Sequence, residues 1–96
     1  MKKYLILLLV KKLDEGDGAS LAAVDHNFFR ISEKADIADL KIDNMELQES
    51  ISSLEKGGLI IQNHLNNYVI NEKGSDFLIN NVSFKDELKG VISQQG

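Results

Sequence analysis

The sequence predicts a mainly α-helical domain that carries one small antiparallel β-hairpin. Three observations predict it. Apolar residues recur at helical spacing, most cleanly at Leu47, Ile51 and Leu54, which stand at i, i+4 and i+7. One stretch, "LIIQNHLNNYVI" (residues 59–70), alternates as half-buried strands do, around asparagines suited to a tight turn. The 96 residues contain no proline, no repeat and no low-complexity tract, so no linker divides them.

Each element follows from its local sequence. "MKKYLILLLVKK" has the outline of a signal peptide, with two lysines before an apolar run over residues 4–10. That run is far shorter than the about 20 residues that span a bilayer. Lys11, Lys12, Asp14 and Glu15 follow it, with no small-residue cleavage site in register. The stretch is therefore read as a first helix, Lys2–Leu13. It is apolar nearly all round and needs cover on more than one side, part of which a second subunit could supply. "EGDG" (residues 15–18) is a turn, and its glycines are too few for a phosphate loop. Residues 19–31 divide by propensity: "SLAAV" favours a short helix near 20–25, and "FFRI" an extended piece near 28–31. Ser32 then caps a short helix over residues 33–40, with Ile37 and Leu40 inward, and "KID" turns. Asp43 caps the next helix, with Glu46 at the capping-box spacing. Gly57 and Gly58 end that helix, one of them in the left-handed conformation. Beyond the hairpin, Asn71 caps a helix starting at Glu72, with Phe77 and Leu78 inward. A last amphipathic helix, about 84–93, aligns Phe84, Leu88, Val91 and Ile92.

The pieces "DIADLKI", "SSLEKGGLI" and "YVINEKGSDFL" stand in that order between Ile37 and Leu78. This segment, a little under half of the chain, resembles the winged helix-turn-helix of the PadR and MarR regulator families. Gly58, Leu59 and Ile60 match the "GLI" of those families, and Glu72, Lys73 and Gly74 match their "EKG". Asn71 stands where the families usually have threonine, and both residues cap helices. The size and the trailing amphipathic helix also resemble small winged-helix proteins of the YjcQ type, although residues 19–31 are longer than expected there. The resemblance implies a single winged helix-turn-helix domain: the helix-turn-helix at about 33–57, the wing at about 59–71 and C-terminal helices at about 72–94. It also implies a small DNA-binding transcriptional regulator of duplex DNA. Asn44, Gln48, Ser50 and Ser53 would then face bases, with Lys56, His64 and Asn66 completing the contact.

The charge pattern pulls the other way. The formal net charge is −4, and Arg30 is the one arginine, the residue best suited to read guanine and phosphate. Over residues 33–56 seven acidic residues oppose three lysines, in the segment that would approach a polyanion. The exposed positions of the helix capped by Asp43 are expected at Glu46, Glu49, Ser50 and Ser53. The wing tip offers Asn63, His64, Asn66 and Asn67, without a permanent charge. Lysines collect elsewhere: Lys2, Lys3, Lys11 and Lys12 flank the first helix, and Lys73, Lys85 and Lys89 lie near the end. A solvated face is the simpler reading of them than a DNA-binding patch. This pattern supports an alternative, a protein-interaction module on the same scaffold, of phage or mobile-element origin. DNA binding stands narrowly ahead, because most proteins with this scaffold bind DNA.

No enzyme is expected. No serine, lysine or aspartate falls in a catalytic motif, and no cofactor is assigned. The absence of cysteine excludes disulfides and thiolate metal sites. His26 and His64 lie in different segments and read as surface or loop residues, so no metal is assigned. Tyr68 packs on the preceding helix or, with Leu65, forms an exposed edge for a partner. Dimerisation through the apolar helices would fall on Leu5, Leu9, Phe84, Leu88 and Ile92, and monomer and homodimer stand equal. No membrane partner is expected, and the expected location is cytoplasmic.

Overall fold

Caps and glycines set the element boundaries. The computed structural model describes the backbone of residues 1–93 and the side chains of residues 1–88. The order is α1 (Lys2–Leu13), α2 (Leu21–Lys34), a 3₁₀ turn (Ala38–Leu40), α3 (Asn44–Lys56), β1 (Ile60–Gln62), β2 (Tyr68–Ile70), α4 (Glu72–Asn80) and α5 (Ser83–Ser93). The fold is mainly α with a small antiparallel hairpin, and the element order is compatible with a winged helix-like arrangement.

Helix α1 is a central post. Every residue from 4 to 10 is buried, because α2, α3, α4 and β2 all pack against it. Its all-round apolarity is therefore satisfied within one chain. This corrects the assignment of Leu5, Leu9 and Leu88 to a dimer surface: all three are core residues of the single chain. Phe84 is half-buried and meets Tyr4 edge-on, with ring centroids 5.7 Å apart. The side chain of Ile92 lies outside the described residues. No described helix is long and apolar enough to cross a membrane.

Helix α2 differs from the expectation. The short helix and the extended piece are one continuous helix, capped by Ser20, whose Oγ accepts from the Ala23 N–H at 3.1 Å. Val24, Phe28 and Ile31 are spaced i, i+4, i+7 and all are buried, so packing overrides the β preference of the two phenylalanines. Ser32 is not a cap. It is buried in the last turn of α2, and its hydroxyl donates to the Phe29 carbonyl at 3.0 Å. Residues 33–40 consequently form no helix of their own. They finish α2, run extended through Ile37, and close with the 3₁₀ turn that buries Leu40. Asp39 fastens this turn to the start of α1, accepting from the Lys2 N–H at 2.9 Å and pairing with the Met1 amine at 3.2 Å. The Lys2 hydrogen bond, and the amine after it, hold the Asp39 carboxyl below its ordinary pKa against the opposing effect of burial.

The hairpin pairs Ile60 with Ile70, Ile61 with Val69 and Gln62 with Tyr68. Gly58 enters it at φ +79°, the left-handed conformation expected after α3. A third short edge joins the hairpin. Ala19 and Tyr68 exchange backbone hydrogen bonds at 2.8 and 2.7 Å, which adds a one-residue strand beside β2. The turn before it winds on Asp14, whose Oδ1 accepts from the Gly16 and Gly18 N–H groups, each at 2.9 Å. Gly18 has φ +83°, and a β-carbon there would lie 2.8 Å from the Asn67 Cβ, so only glycine fits. Beyond β2, the Asn71 Oδ1 accepts from the Glu72 N–H at 2.8 Å and caps α4 as expected.

Candidate nucleic-acid interface

Helix α3 begins at its Asp43 cap, whose Oδ1 accepts from the Glu46 N–H at 2.8 Å. The cap places a carboxylate on the free N–H groups of the first turn, the groups that would otherwise attract a phosphate. Leu47, Ser50, Ile51 and Leu54 face the core. At about 100° per residue, the outward centre of the helix is then the row Met45, Glu49, Ser52 and Lys56. Gln48 and Glu55 flank this row on one side, and Glu46 and Ser53 on the other. All eight are exposed, and Met45 is 70 % exposed. Three glutamates therefore share the face with a single lysine, Lys56.

The base-facing assignments divide. Ser50 is corrected: it is 9 % exposed and lies on the inner face, out of reach of a groove. Helical arithmetic puts it about 40° beyond Leu54, at the edge of the apolar stripe; the i, i+4, i+7 spacing alone does not show that this edge is covered. Asn44 is exposed but engaged. With its amide nitrogen turned toward α2, it donates to the Asp25 carboxylate at 2.9 Å. Gln48 and Ser53 remain exposed, on opposite flanks of the helix, and Lys56 is exposed at its end.

The hairpin tip is polar and mostly occupied with itself. The Asn63 Oδ1 accepts from the Leu65 and Asn67 N–H groups at 2.9 and 3.1 Å. The Asn63 and Asn67 amides both donate to the Asp17 carbonyl, at 2.8 and 2.9 Å. Asn66 supplies the positive φ, 61°. His64 and Asn66 are exposed, as the wing assignment requires, and so are Leu65 and Ile61. Tyr68 is buried against the core, and its hydroxyl accepts from the Gln62 amide at 3.2 Å. Leu65 alone is therefore the exposed edge that the sequence offered for this pair.

Between α3, the start of α2 and β2 lies a shallow groove of about 220 Å³, lined by Leu21, Gln48, Ile51, Ser52, Glu55 and Tyr68. Glu55 is its one charged group. Leu21 and Tyr68 belong to segments that the sequence did not bring together; the Ala19–Tyr68 bridge does so, and a single paired residue leaves no periodic signal. Among the described residues no three His, Cys, Asp or Glu side chains gather as a metal site. Comparison with known proteins finds no match to a family model, a curated protein or a solved structure.

Proposed function

We propose that this protein is a non-enzymatic interaction module on a winged-helix scaffold, working in the cytoplasm, whose α3–hairpin face docks on another protein. The observation that carries this reading is the exposed face of α3, where Met45 and three glutamates, Glu46, Glu49 and Glu55, stand against Lys56 alone. A phosphate backbone is repelled by those carboxylates and gains nothing from the methionine. A protein surface with lysine or arginine around an apolar contact uses both.

DNA binding is the second reading. The order of α2, α3 and hairpin favours it, with Gln48, Ser53, Lys56, His64 and Asn66 all exposed. One titration separates the two. Duplex DNA is added at about 50 mM salt, where non-specific binders are at their tightest. The expected result is no binding at micromolar protein. Binding that weakens steeply with added salt would replace the docking reading with the DNA reading. Reversing Glu46→Lys with Glu49→Lys sharpens the test: it abolishes docking to a cationic protein, and it strengthens DNA binding where any exists.

A further inference from the structure

The only ion pair among the described residues joins the Met1 amine to Asp39. Lys11, Lys85, Glu46 and Glu49 are all exposed and none has an ion-pair partner there. The two lysines flank a groove of about 240 Å³ between α1, α4 and α5 and are its only charged lining. Ile79 and Val82 lie on its apolar side, 70 % and 59 % exposed. Tyr4 also lines it, 2 % exposed, and the phenol hydroxyl has no hydrogen-bond partner among the described residues. An apolar bed and two exposed ammonium groups together suit a carboxylate carried beside an apolar side chain.

The α3 face has that chemistry, with Met45 standing beside Glu46 and one turn before Glu49. We propose that the groove receives the α3 face of a second copy of this chain, with Met45 on Ile79 and Val82 and the two glutamates at Lys11 and Lys85. No α3 residue lines the groove, so a molecule does not fill its own. The contact is heterologous: each copy offers one face and one groove, and assembly closes into rings or grows as chains instead of stopping at a symmetric pair. The inference deepens the docking reading above and rests on it.

Sedimentation velocity of the full chain over about a hundredfold range of concentration tests the assembly. The weight-average mass is expected to climb past two copies, and to fall again when salt is raised from about 0.05 M to about 0.5 M, which screens the exposed pairs. Lys11→Glu with Lys85→Glu, and separately Glu46→Lys with Glu49→Lys, each weaken association at least about tenfold by setting like charges together. Mixing the two charge-reversed proteins restores it, because each then carries the complement of the other. All four positions are exposed, so the variants retain the helical circular dichroism of the parent. Self-docking is overturned by a chain monomeric throughout, by a dimer that grows no further, or by reversed proteins that fail to recombine. A monomer that also ignores DNA removes self-docking alone and leaves docking to a foreign protein standing. Tight duplex binding removes both.

Discussion

Helices α1 and α3 differ by one residue in length, 12 against 13, and are opposite in use. The first buries seven consecutive residues and has no free face in its middle. The second buries four and leaves the rest to solvent. Saturation with leucine and isoleucine puts α1 at the centre without specifying a rotation, because its neighbours supply cover on every side. A narrow stripe fixes the rotation of α3, and that fixed rotation gives its outer residues a constant address. The core post carries stability, and the striped helix presents its outer side chains to solvent.

The comparison breaks first at α1. Leu5→Ala should cost about 3 kcal/mol, because the cavity it leaves is enclosed, whereas Met45→Ala should stay within about 0.5 kcal/mol as an exposed site. Urea unfolding of both variants measures the gap; equal losses would dissolve the distinction. Next is the start of α3. Asp43→Ala removes the bond to the Glu46 N–H and should lower stability by about 1 kcal/mol, read as a reduced urea midpoint at unchanged slope.

Alkaline pH probes the post again. Burial, and then the nearby Asp86 charge, push the Tyr4 phenol above its ordinary pKa. The unfolded chain ionises first, so the stability that Tyr4 contributes is complete below about pH 10 and is lost as pH rises through the folded-state value. Tyrosinate absorbance should therefore lag in the folded protein, and Tyr4→Phe should flatten the alkaline limb of the stability curve. The smallest effect is expected at Ser50→Ala. Its inward position and the better helix propensity of alanine predict a gain of a few tenths of a kcal/mol, with no change in partner or DNA binding. Altered binding in that variant would place Ser50 on the recognition face after all.

How much of this the chain shows on its own depends on the kind of signal. The bounds of α1, the Asp43 and Asn71 caps and the presence of the hairpin each rest on residues close in sequence, and each was legible. Helix α2 was not, because Phe28 and Phe29 carry a β preference that only contact with the core overrides. The asparagines of the hairpin tip were read for positive φ, which only Asn66 adopts; Asn63 and Asn67 instead serve a carbonyl some fifty positions earlier in the chain, Asp17. For the candidate site, the acidic character of α3 was plain from composition. The inward turn of Ser50 and the engagement of Asn44 by Asp25 needed the neighbouring helix in place.

The hairpin is held at two points along its length. Tyr68 is bonded to Ala19, and the tip asparagines hold Asp17. Ala19 immediately precedes Ser20, the cap of α2. A partner that tilts the hairpin therefore pulls on the first turn of α2, and through the Asn44–Asp25 contact on the first turn of α3. Held at both points, the hairpin cannot move independently of the helices, so force applied at Leu65 reaches the helix starts instead of being absorbed by a loose finger.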